Sequence, residues 1–187
     1  MSTAGGDAYD YVIVGAGSAG CVLANRLSAD DNDVLVLEAG TPDEKREIGI
    51  PAAFSDLFNS EVDWAFDTEP QPELNRRECY WPRGKTLGGS SSINAMIYAR
   101  GQPADYDHWA DLGNDGWAYD DVLPYFKRAE HNERGPSEYH GTDGPRNVAD
   151  LQQPNELSEA FIEAGQTVGL PDNEDFNAGE QSGVGFY

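Results

Sequence analysis

Six residues, Gly15-Ala16-Gly17-Ser18-Ala19-Gly20, carry the G-x-G-x-x-G spacing that lets a backbone close on a pyrophosphate. Gly15 permits the tight turn, Gly17 lets the main chain approach the phosphates, and Gly20 lets a helix pack on a strand. Glu38 stands where an acid accepts hydrogen bonds from ribose hydroxyls, and its charge disfavours a 2′-phosphate. A second segment, Arg83 to Tyr98, has paired glycines (Gly88, Gly89) followed by three serines and Asn94, which suits close packing on another part of the same ligand. It contains Gly84-Lys85-Thr86, but the glycine-rich approach of a P-loop is missing, so an ATPase is a poor fit. The first motif alone leaves NAD and FAD both open; an NAD dehydrogenase leaves residues 84–94 unexplained.

Three elements must position the first motif. Tyr9 to Val14 reads as a buried strand, Ser18 to Ser28 places Cys21, Val22, Ala24 and Leu27 at helical intervals, and Val34 to Leu37 is a second apolar strand. Strand, helix, strand in this order calls for a parallel βαβ unit. Residues 41–83 are broken by Pro51, Pro70, Pro72 and Pro82, with Trp64 and Phe66 alternating in a possible strand. Gly84 to Tyr98 is expected to deliver a loop into a helix. Val122 to His131 reads as a helix capped by Asp120 or Asp121, and Leu157, Phe161, Ala164 and Val168 share a face of another, with Asn155 near its start.

The 187 residues hold 34 Asp plus Glu against 12 Lys plus Arg, a net charge of -22. Nucleic acid and anionic membranes are therefore unsuitable partners. Acids spread from Asp30 to Asp175, with only Lys45, Lys85 and Lys127 as lysines, suggest a salt-adapted surface. Cys21 and Cys79 are too few for a disulfide framework and read as reduced. Met1 to Asp7 lacks a signal-peptide pattern, and no run reaches the roughly 20 apolar residues of a membrane span, so a soluble cytoplasmic protein is expected. His108, His131 and His140 form no metal pattern or nucleophile pair, and His140 reads as a satisfied loop histidine. Ser90 to Ser92 lack a nucleophile elbow, and the pairs Glu61/Asp63 and Asp105/Asp107 read as chance neighbours in an acidic chain.

Together, residues 10–20, Leu37 to Gly40, Arg83 to Asn94, Tyr98 to Gly101, Asp107 to Trp109, Val122 to Phe126 and Tyr139 to Pro145 resemble the amino-terminal part of glucose-methanol-choline (GMC) oxidoreductases, most of all the choline dehydrogenase branch. The resemblance implies an α/β fold, with an incomplete Rossmann-like FAD-binding domain over 1–150 and the start of a truncated substrate-binding region over 151–187. It implies that Gly15, Ala16, Gly17, Ser18, Ala19, Gly20, Glu38 and Ala39 hold the ADP half of FAD. Leu87, Gly88, Gly89, Asn94, Ala95 and Met96 would line the pyrophosphate and flavin side. Ile93 stands where some choline oxidases attach flavin to a histidine, so FAD is expected to be noncovalent. The implied reaction oxidises a choline-like or other primary alcohol to an aldehyde by hydride transfer to flavin N5. Its histidine base and partner are expected beyond Tyr187, leaving no catalytic residue here and making an inactive FAD-binding fragment the alternative.

Overall fold

The computed structural model describes residues 8–187; the expectation for Met1 to Asp7 lies outside them. The chain divides into two compact units, Met1–Met96 and Ile97–Tyr187. This division falls inside the 1–150 segment, and residue 150 itself lies in a loop.

In the first unit, β1 (Tyr11–Val14) pairs in parallel with β2 (Val34–Leu37), in the register Tyr11 to Val34 through Val14 to Leu37. Helix α1 (Ser18–Leu27) connects them and carries Cys21, as its apolar spacing predicts. The expectation of a buried strand holds only for Ile13. Successive strand residues face opposite sides; Ile13 is buried and lies under Gly20 of α1, while Val12 and Val14 are exposed at 56% and 85%. A parallel sheet needs cover on both faces, and among the described residues this strand pair has no third strand.

The proline-broken stretch makes short 3-10 turns and an antiparallel pair, β3 (Phe66–Asp67) with β4 (Tyr80–Trp81). Trp64 precedes β3 and stacks on Phe66 at 5.7 Å. The unit's core joins Leu57, Val62 and Ile93, with Ile48 and Phe58 packed against them. The helix expected within residues 84–98, following the glycine- and serine-rich loop, does not form: a 3-10 turn over Gly89–Ser92 ends at Ile93, and irregular backbone follows. Asn94 Oδ1 accepts from Met96 N at 2.9 Å, and Met96 sits at a φ of 60°. That local side-chain bond gives the backbone an alternative to helix.

In the second unit, α2 (Pro103–Asp111) is an element that the periodicity did not reveal. Its start is legible in retrospect, with Pro103 at the first turn and Asp105, whose Oδ2 accepts from Gln102 N at 2.8 Å. Helix α3 (Tyr119–Ala129) begins earlier than expected, so Asp120 and Asp121 lie in its first turn rather than capping it. There they still complement the positive end of the helix. His131 does not close this helix; it belongs to β5 (Glu130–Asn132), which pairs in parallel with β6 (Arg146–Val148). Helix α4 (Glu156–Thr167) is capped by Asn155, whose side chain accepts from Leu157 N at 2.9 Å. Its apolar residues Leu157 and Phe161 are exposed. No helix among the described residues is long and apolar enough to cross a membrane.

Candidate cofactor site

The two glycine-rich segments meet within the first unit. Gly88 N donates to Ala16 O at 2.8 Å, and Gly17 and Gly88 form a bridge. Gly89 takes a φ of 55°, and a Cβ there would stand 2.8 Å from Gly17 Cα, so only glycine allows this approach. A Cβ on Gly20 would fall 1.9 Å from Gly15 O, which is the strand-helix contact that the spacing predicts.

A Cβ on Gly15 would meet nothing within 4 Å, and one on Gly17 would meet only Gly89 Cα at 3.9 Å. Bare backbone therefore lines an open cradle at the start of α1. The helix has no side-chain cap and no acid in its first turn, so Ser18, Ala19 and Gly20 present backbone N-H groups and an uncompensated positive end. This arrangement fits an anionic pyrophosphate.

Glu38, just after β2, is already engaged within the fold. Its Oε2 accepts from Ala16 N at 2.7 Å and its Oε1 from Gly40 N at 2.8 Å, which ties the first turn to the end of β2. A carboxylate offers about four acceptor positions, so two remain for hydroxyl donors. Ala39 is exposed beside it. Leu87 N donates to Thr41 O at 3.1 Å, and the buried Thr86 hydroxyl donates to the same carbonyl at 2.8 Å. Asn94, Ala95 and Met96 run on from this junction as exposed residues. Ile93 is buried in the core, with 2% of its surface exposed.

The serines serve the loop itself. Ser91 Oγ donates to Gly88 O, Ser92 Oγ donates to Leu87 O, and Ser90 Oγ accepts from Gly84 N. The four acids also have structural work. Glu61 pairs with Lys45, Asp105 caps α2, and Asp107 accepts from Tyr119 N. Asp63 is buried, and its carboxylate accepts from the Tyr80 hydroxyl and from the N-H groups of Asn59, Ala65 and Arg83. Burial pushes its pKa up, but the Tyr80 hydroxyl and the three amides outweigh this and hold it below the usual Asp value.

The second unit contains a charged cluster that sequence reasoning missed. Arg100 donates to Glu130 Oε2 at 2.6 Å, with both side chains almost wholly buried. Glu130 Oε1 lies 2.6 Å from His140 Nδ1, and His140 Nε2 lies 2.7 Å from Asp175. Burial raises the Glu130 pKa, but the His140 hydrogen bond and the Arg100 charge bring it below the ordinary value. His140 is thus the satisfied histidine expected, yet a buried one among ions. Its partners are distant in sequence and carry no local signal. His131 Nδ1 meets Thr142 O, and His108 lies exposed on α2.

A parallel strand pair, a glycine turn opening a helix and an acid at the end of the second strand define a dinucleotide-binding α/β unit. The GMC oxidoreductase family model matches residues 9–187, and the chain belongs to that family. It is 53% identical over 182 residues to an alcohol dehydrogenase [acceptor] of Pseudomonas putida, covering 96% of this chain and 33% of the relative. It is 49% identical over 178 residues to an oxygen-dependent choline dehydrogenase of Brucella anthropi, covering 94% and 32%. Among solved structures, pyridoxine 4-oxidase from Mesorbium loti matches with a TM-score of 0.87 and 41% identity, over 94% of this chain and 35% of that one. An FAD-dependent oxidoreductase from Chaetomium thermophilum matches with a TM-score of 0.82 and 36% identity, over 94% and 32%. The chain thus spans about a third of the length of these relatives.

Proposed function

We propose that this chain is the cofactor-holding part of an FAD-dependent oxidoreductase that converts an alcohol, choline-like or another primary alcohol, to an aldehyde. The observation that carries this reading is the junction of Gly88 with Ala16 and Gly17, which joins both motifs into one cradle. FAD bound there would supply the hydride acceptor, flavin N5. Ser18, Ala19 and Gly20 would meet the pyrophosphate through backbone N-H groups, and Gly15, Ala16 and Gly17 would leave room for it. Glu38 and Ala39 would face the ribose, with Glu38 accepting its hydroxyls. Leu87, Gly88, Gly89, Asn94, Ala95 and Met96 would line the side toward the flavin.

The core position of Ile93 supports noncovalent binding, because an aliphatic side chain offers no nucleophile. In our reading residues 1–150 belong to the FAD domain and 151–187 open the substrate region. The proton-accepting histidine would come from the part of a family protein outside the matched third. A chain that binds FAD without turnover is the second reading, favoured by the engagement of His140 and His131 in structural bonds.

Titrating the 187-residue chain with FAD, followed by flavin fluorescence, tests the cofactor assignment. Saturable binding is expected, abolished by Gly17→Val, with the flavin released on acid precipitation. Absence of binding, or equal binding by Gly17→Val, would overturn it.

A further inference from the structure

Asp63 stands outside both glycine motifs, yet the second motif hangs from it. Its Oδ1 accepts from Arg83 N at 2.9 Å and from Ala65 N at 3.0 Å, while Oδ2 accepts from Asn59 N at 2.9 Å and from the Tyr80 hydroxyl. Four donors fill the acceptor capacity of one carboxylate, leaving no position for proton transfer to a substrate. The group works instead as a fixed charge around which three segments are gathered.

The connection to the cradle is backbone on backbone. Arg83 is the first residue of the second segment, and Asp63 bridges its neighbour Gly84. Trp64 N donates to Arg83 O at 2.8 Å and Lys85 N donates to Val62 O at 2.7 Å, so residues 62–64 and 83–85 run as a paired ribbon. A Cβ on Gly84 would stand 2.1 Å from Gly89 O, so a shift of Gly84 is transmitted to Gly89 without a side chain between them. Gly89 in turn sits against Gly17.

Resting on the FAD reading above, we propose that Asp63, with Tyr80, is a positioning residue that sets the flavin-side segment against the pyrophosphate turn. It would govern affinity for the flavin-bearing half of the cofactor and leave the ADP half to Gly15 through Gly20 and Glu38.

The test compares ADP and FAD binding by the full chain, by calorimetry, for the native protein, Asp63→Asn and Tyr80→Phe. In Asp63→Asn an amide donor replaces an acceptor in front of backbone N-H groups. FAD affinity is expected to fall about tenfold, the size of one lost hydrogen bond to a charged acceptor, while ADP affinity stays within about twofold. Tyr80→Phe removes one donor and should lower the FAD-to-ADP ratio about threefold. A purely structural role would weaken both ligands together. If Asp63→Asn loses ADP binding through misfolding, Tyr80→Phe decides: a reduced ratio supports the proposal and an unchanged one overturns it. Failure of the native chain to bind either ligand would instead overturn the cofactor reading, and this proposal with it.

Discussion

The two units are organised by different chemistry. In Met1–Met96 the decisive contacts are made by main chain: glycines meet glycines, Ala16 carries bonds at both its N-H and its carbonyl, and side chains such as Glu38 and Asp63 act by gathering amides. In Ile97–Tyr187 the decisive contacts are made by charges, with Arg100, Glu130, His140 and Asp175 bonded in a row. Backbone contacts tolerate no added atom, so they write themselves into the sequence as glycines at fixed spacing. Ionic contacts can be drawn from anywhere in the chain, and in a protein with 34 acids no single one stands out.

Removing the centre of the charged row should have the largest effect. Glu130→Ala leaves Arg100 and His140 buried without their shared acid, at a cost of about 3–5 kcal/mol. Urea unfolding followed by a probe in the second unit would read this, with a loss below about 1 kcal/mol contradicting the role given to the cluster. The matching change in the first unit is Gly89→Ala, which adds a Cβ against Gly17 at a φ disfavoured for alanine. A destabilisation of about 1–3 kcal/mol is expected, read by urea unfolding with a probe in the first unit.

Acidification should sharpen the contrast. In the folded chain Glu130 titrates below the ordinary glutamate value of 4.5, so its stabilising contribution is fully present above about pH 4.5 and is lost as pH falls through the lowered value. Stability measured across this range should decline in the native protein, with a shallower slope in Glu130→Gln. An identical slope in both would remove Glu130 from the account. The smallest effect belongs to Asn155→Ala, which removes the α4 cap and should cost about 1 kcal/mol, measurable as a lower denaturation midpoint.

How much was legible follows the same division. The strand Val34–Leu37 and helix α1 agree with their apolar patterns, and the cap of α4 was visible as Asn155. The helix expected after Ser92 failed because Asn94 satisfies Met96 N locally, a competition that hydrophobic periodicity does not report. Helix α2 is hard to read from the sequence because its apolar pattern is weak, although Pro103 marks its start.

The amino-acid sequence by itself determined the βαβ unit, its glycine turn and the family resemblance, because close backbone approach leaves no alternative to glycine at Gly20 and Gly89. Tertiary structure alone decided that Glu38, expected to accept ribose hydroxyls, also accepts from Ala16 N in the glycine turn, that Asp63 anchors Arg83, and that His140 joins Glu130 and Asp175. Each of these depends on which donors the folded chain brings to a carboxylate. Acids and their partners carry no required spacing along the chain, so only the fold can pair them.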